Sequence, residues 1–287
     1  MGSRITLIAV VVLYVTSFCQ AQQTATCDHW TFFKSFSASG INQWNTVVGT
    51  GKLADGSIVG FTRYSNGGVT TYKFPNSGQT HVSKRNASGV TVGDVDFDHG
   101  LIVTGSSATT IDYPGAPQTM LTGINKWDSM VGIYQYNDDA DFGPEWTGFK
   151  MWKNGTFAAI NAPGAINTNP NSINDAGTVV GWYESSAEAV PFAADPSHGF
   201  VLANGVYKTV SYPNAFRTSL NDINSAGVIV GSWVSPDTGN AGGFLFVNGK
   251  FKDVVTPGGG STAVNGINDN GYVTGTYSGG SFIAHCQ

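Results

Sequence analysis

The chain has 287 residues, a net charge of −5, only 11% charged residues, 38 glycines and 12% aromatics. So small and acidic a charge complement excludes an electrostatic fit to nucleic acid or to an anionic membrane surface; Lys84-Arg85 is the only adjacent basic pair. The same composition is poor in helix formers and rich in turn and strand formers, which points to an all-β protein.

The first residues have the build of a secretory signal. Arg4 precedes an apolar run from Ile5 to Tyr14 that is too short to span a bilayer, and Cys19-Gln20-Ala21 fits a small-x-small cleavage site. Residues 1–21 are therefore read as a signal peptide and 22–287 as one domain, secreted to the periplasm or the extracellular space. No later stretch is long and apolar enough for a membrane span, and a monomer is expected. Removal of the signal takes Cys19 with it and leaves Cys27 and Cys286. An even pair in an oxidising compartment reads as a disulfide, and a metal site built from these thiols with His29 and His285 is the weaker reading.

Along the domain one hairpin phrase recurs six times: "GINQWNTVVGTG", "SKRNASGVTVGDV", "GINKWDSMVGIY", "SINDAGTVVGWY", "DINSAGVIVGSW" and "GINDNGYVTGTY". Its shared asparagine falls at 42, 86, 125, 174, 224 and 268, a spacing typical of propeller blades or solenoid coils. A second phrase follows each hairpin ("VGFTRYSNG", "HGFVLANG", "GGFLFVNG"), then a third that runs into Pro and, a few residues on, Thr ("IDYPGAPQT", "VSYPNAFRT"). Each repeat thus holds four short strands with alternating polarity. Four-stranded antiparallel repeats of this length predict a six-bladed β-propeller. The sixth repeat stops at "GSFIAHCQ" without its outer strand, and "CDHWTFFKSFSASG" near the other end resembles the missing piece. Pairing the N- and C-terminal strands would close the ring and bring Cys27 to Cys286.

These residues resemble the HAF-type extracellular repeat family of bacteria. "HGF" at 198–200, "IDYPGA" at 111–116 and "INDAGTVVG" at 173–181 carry the resemblance, which covers most of the mature chain. It implies an exported repeat protein and carries over no activity and no catalytic residues.

The recurring Asn-Asp-x-Gly is read as turn architecture, because its side chains bond the turn backbone and its Gly tolerates positive φ. Asp94, Asp96 and Asp98 alternate as in calcium loops, but no Glu stands at the twelfth position, where Gly105 falls. A solvated strand edge is preferred there, with calcium the alternative; no cofactor is assigned. No nucleophile elbow, phosphate loop, zinc-protease helix or Cys-x-x-Cys occurs, so no catalytic residue and no metal ligand is named.

What refuses to repeat is the connection between second and third strands. These connections and their flanks gather Tyr134, Tyr136, Asp138, Asp139, Asp141, Glu145, Trp146, Glu184, Glu188, Asp195 and Asp237. A scaffold with one constant face and one diversified face usually binds with the diversified one. The leading expectation is a binding module for a glycan or a cell-surface protein. The alternatives are an exported polysaccharide hydrolase or lyase, which would need two carboxylates over the channel, and a structural envelope protein without a ligand.

Overall fold

The computed structural model describes residues 23–139, 143–185, 196–236 and 239–287, with the backbone alone at 137–139 and at 143 and 144. The candidate signal segment, Asp141, Glu188, Asp195 and Asp237 lie outside the described residues. Every named element among the described residues is a strand.

Strands β1 (Gln23–Thr24) and β2 (Cys27–Phe33) precede the first repeat. That repeat supplies β3 (Phe36–Ile41), β4 (Val47–Lys52), β5 (Ile58–Arg63) and β6 (Val69–Tyr72). The second supplies β7 (Thr80–Arg85), β8 (Thr91–Val95), β9 (His99–Thr104) and β10 (Ser107–Ile111). The third gives β11 (Thr119–Ile124), β12 (Met130–Asp139), β13 (Gly143–Met151) and β14 (Phe157–Ile160). The fourth gives β15 (Ala165–Ile173), β16 (Val179–Ser185), β17 (Ser197–Ala203) and β18 (Val206–Val210). The fifth holds β19 (Arg217–Ile223), β20 (Ile229–Val234), β21 (Ala241–Val247) and β22 (Lys250–Val254), and the last holds β23 (Thr262–Ile267), β24 (Tyr272–Tyr277) and β25 (Gly280–Cys286).

The first, second and third repeats are each a four-stranded antiparallel sheet in chain order. In the last, β2 fills the outer place beside β25, and Cys27 stands directly opposite Cys286 in that ladder. The two cysteines form a disulfide across 259 residues of sequence. The fourth and fifth repeats depart from the expected separate blades. One parallel pair, Ser197 with Arg217, links β17 to β19, and β1 runs parallel to the outside of β22. The result is a single mixed sheet of nine strands. Its cause is local: the Ser197 N–H reaches the Phe216 carbonyl, and β1 covers the edge of β22, which would otherwise expose unpaired backbone groups.

The sheets stand in a closed, propeller-like cycle. Each repeat's first strand touches the next one's (β3, β7, β11, β15, β19, β23), and β23 returns to β3. Apolar side chains fill the space between neighbouring sheets; Val230 and Leu245 of the fifth repeat, for example, cluster with Val264, Val273 and Phe282 of the sixth. The Phe of the second phrase is the centre of this packing, with Phe61, Phe149, Phe200, Phe244 and Phe282 all at most 1% exposed. The Gly before it lets the next sheet approach. A Cβ on Gly60 would sit 2.4 Å from Val82 Cγ2, and one on Gly243 would sit 2.8 Å from Val264 Cγ2. The Thr of the third phrase ties down the corner: Thr80, Thr119, Thr168 and Thr218 accept from the N–H of Phe74, Tyr113, Ala162 and Tyr212.

Candidate functional site

The recurring asparagine builds the axis. Its Oδ1 accepts N–H bonds from its own turn, as Asn174 does from Ala176 and Thr178. Its Nδ2 donates to the backbone carbonyl of the next asparagine: Asn42 to Asn86, then to Asn125, Asn174, Asn224 and Asn268, and from Asn268 back to Asn42. The chain of donors closes on itself. Where the turn lacks Gly, Asn45 and Asp128 take its left-handed place, and their side chains accept a further bond from the Nδ2 of Asn268 and Asn86.

Below this ring each first strand carries a bulge, which turns the residue two places before the asparagine toward the axis. Those residues are Gly40, Lys84, Gly123, Ser172, Asp222 and Gly266. Four small residues leave room for two long ones, and Lys84 Nζ meets Asp222 Oδ2 at 3.0 Å. Lys84 also donates to the carbonyls of Ser39 and Asn265, and Asp222 accepts from the Ser172 hydroxyl and the Ile223 and Ile267 N–H groups. Burial holds the Lys84 ammonium below the ordinary lysine range, with the Asp222 carboxylate opposing that shift. Above the plug lies a shallow cavity of about 100 Å³, rimmed by Lys126, Asp175, Ser225 and Asp269. There Lys126 pairs with Asp175 at 3.1 Å, and the Ser225 hydroxyl bonds both Asp175 and Asp269.

The opposite ends of the strands carry most of the sequence-predicted residues. The third repeat's connection is more strand than loop: β12 and β13 extend as a hairpin until Asp139 faces Gly143. Asp138, Asp139, Glu145 and Trp146 therefore stand on a ladder, not on a free loop, with Tyr136 in the bulge between Gln135 and Asn137; the aromatic Tyr134 and Trp146 favour a pleated surface. Tyr134 is stacked on Tyr113 with centroids 3.7 Å apart, and burial together with Tyr113 pushes its phenol up to about 12. Tyr136 is half exposed and donates to the Ile166 carbonyl; burial and the Glu145 carboxylate raise its pKa.

Asn167 joins the third and fourth repeats. Its Oδ1 accepts from the Trp146 backbone N–H at 2.8 Å and its Nδ2 donates to Glu184 Oε2 at 2.6 Å. Glu184, at the end of β16, also lines a cavity of about 190 Å³ between the fourth and fifth repeats with Trp182, Ser197, Arg217, Ser219 and Ser232. The structure thus brings Tyr136, Glu145, Trp146 and Glu184 onto one continuous surface. Sequence reasoning missed Asn167, Trp182 and Arg217. A signal was present: the residue before the third-phrase Thr is always polar yet changes among Gln79, Gln118, Asn167, Arg217 and Ser261.

The alternating aspartates serve separate structural bonds. Asp94 pairs with His81, Asp96 accepts from the N–H groups of Gly78 and Gln79, and Asp98 accepts from Gln118. His99 and His198, at equivalent positions, bond Asp112 and Ser211 respectively.

No family model matches the chain, and no curated protein matches it in sequence. Among solved structures it is similar to a streptogramin B lyase, with a TM-score of 0.45, 10% identity, 90% of this chain and 96% of that chain covered. No helix among the described residues is long and apolar enough to cross a membrane.

Proposed function

We propose that this chain is an exported six-bladed β-propeller of the HAF repeat type that binds a glycan or a glycan-bearing surface partner. Its site runs across the strand ends of the third, fourth and fifth repeats. The observation that carries this reading is Glu184, held by the Asn167 amide at the rim of the 190 Å³ cavity lined by Trp182 and Arg217, while Asn167 Oδ1 ties the Trp146 backbone to the same edge. Aromatic faces flanked by hydrogen-bonding side chains are the surface chemistry that sugars require. The axis supports the same placement, since Lys84 and Asp222 fill it and leave its inner acid paired. Screening the purified protein on a glycan array, followed by titration of the best hit against wild type, Trp146→Ala and Glu184→Gln, tests the reading. Saturable binding lost in both variants supports it; an array without hits, or hits that both variants retain, overturns it.

A polysaccharide hydrolase or lyase is the second reading. It draws on Asp175 and Asp269, which flank the Ser225 hydroxyl at the axial rim, because glycoside cleavage uses paired carboxylates. Release of reducing sugar or unsaturated ends that disappears in Asp175→Asn and Asp269→Asn would favour it over the binding module.

A further inference from the structure

The seam where the ring closes holds a second chemical cluster. At the end of β25, His285 stands opposite Asp28 of β2, and the ladder slips between Asp28 and Thr31. Within that slip His29 adopts a left-handed backbone, φ 53°, which is uncommon for a residue with a Cβ. The distortion places His29 Nδ1 2.7 Å and His285 Nδ1 3.4 Å from the same oxygen, Asp28 Oδ1. One donor atom from each of the three residues falls within 4.8 Å of the others.

We infer that Asp28, His29 and His285 form a binding site for a divalent transition-metal ion of the zinc class at the ring seam. The donor set decides the class. The disulfide removes both neighbouring thiols from ligation, and two imidazoles with one carboxylate suit a borderline ion rather than calcium. The geometry needs little change. Two ligands at zinc bonding distance in a tetrahedral site lie roughly 3.3 Å apart, close to the His285–Asp28 separation. The closer His29 ring is free to swing outward, since its side chain is 71% exposed. His285 is held in place: its ring packs on Tyr272, and its Nε2 edge lies against Gly271, which leaves Nδ1 facing Asp28. Three protein ligands on an exposed edge leave a fourth position to water.

The ion would bridge β2 and β25 one residue from Cys27–Cys286, so its binding adds to the stability of the closed ring. The test uses the full chain with its disulfide intact, stripped of metal by a chelator and titrated with zinc by calorimetry and with cobalt(II) by visible spectroscopy. One ion per chain is expected, with cobalt bands of a four-coordinate nitrogen–oxygen site and a melting temperature raised by zinc. His29→Ala and His285→Ala should each weaken binding about 10-fold or more and abolish the zinc-dependent shift in melting. His29 is exposed, so its variant carries the test if His285→Ala fails to fold. Absence of saturable binding overturns the inference, as does binding that His29→Ala leaves unchanged, which would assign the ion to another histidine.

Discussion

Lys84 and Asp222 meet at 3.0 Å across the axis, each with a side chain about nine-tenths buried. They belong to the second and fifth repeats, and in the cyclic order of the asparagines two repeats stand between them on either side. The pair is thus a diametric strut. Removing one partner strands the other charge in a buried site, while exchanging both for uncharged residues does not. Lys84→Met and Asp222→Asn should each lower unfolding free energy by about 3–5 kcal/mol, and the double variant Lys84→Met/Asp222→Asn, in which the amide oxygen can still accept from the Ile223 and Ile267 N–H groups, should lose less than the sum of the two. Urea unfolding of the three variants measures this; additive losses would contradict the strut.

The asparagine ring sets a second expectation. Asn174 is 7% exposed and makes one donor and two acceptor bonds. Asn174→Ala takes one of two donors from the Asn224 carbonyl, which keeps the Gly227 N–H, and removes the acceptor of two turn N–H groups, at a cost of about 1–3 kcal/mol. The urea midpoint should fall with an unchanged slope, since the surface exposed on unfolding stays the same.

Reduction of Cys27–Cys286 should be more damaging than its place at a strand end implies. The bond spans 259 residues, and loop-closure entropy assigns such a cross-link roughly 5 kcal/mol as an upper figure. A reductant should lower the urea midpoint accordingly, and Cys27→Ser should reproduce the shift without reductant.

Alkaline pH should loosen the fold through buried phenols. The Tyr134 phenol is pushed up to about 12 from the usual 10.0, chiefly by burial, and Tyr212 is raised in the same sense by burial and its bond to Asp253. A folded value above the unfolded one means the folded state holds the proton longer. The contribution is therefore complete below the unfolded value of 10.0 and is lost as pH climbs toward 12. Between about pH 10 and about pH 12, Tyr134→Phe should lose stability less steeply than wild type, measured by urea midpoints.

Much of this was readable because the repeat amplifies its own signal. Six copies of one asparagine, each followed by Val-Val-Gly or a near variant, gave the strand spacing, and two end segments gave the disulfide. Lys84 and Asp222 were not readable as partners. Each looks like an isolated exception at a position otherwise held by Gly or Ser, and only the cyclic arrangement makes them face each other. The link between β17 and β19 was hidden for a different reason, since it rests on one backbone pair that needs no particular side chain. The extended β12–β13 hairpin was hidden by its run of acidic residues, which reads as a connection, and by the bulge at Tyr136, which breaks the strand alternation.

The strand that completes the last sheet also constrains timing. β2 is made well before its partner β25, with 22 strands between them in the chain, so during synthesis the earlier strand must remain unpaired while everything between is assembled. Long-range pairings of this kind fold slowly, because the intervening chain must be ordered before the final contact is rewarded. Any chaperone that attends this chain therefore has one predictable client segment, "CDHWTFF", and one predictable moment of release, when Cys286 arrives.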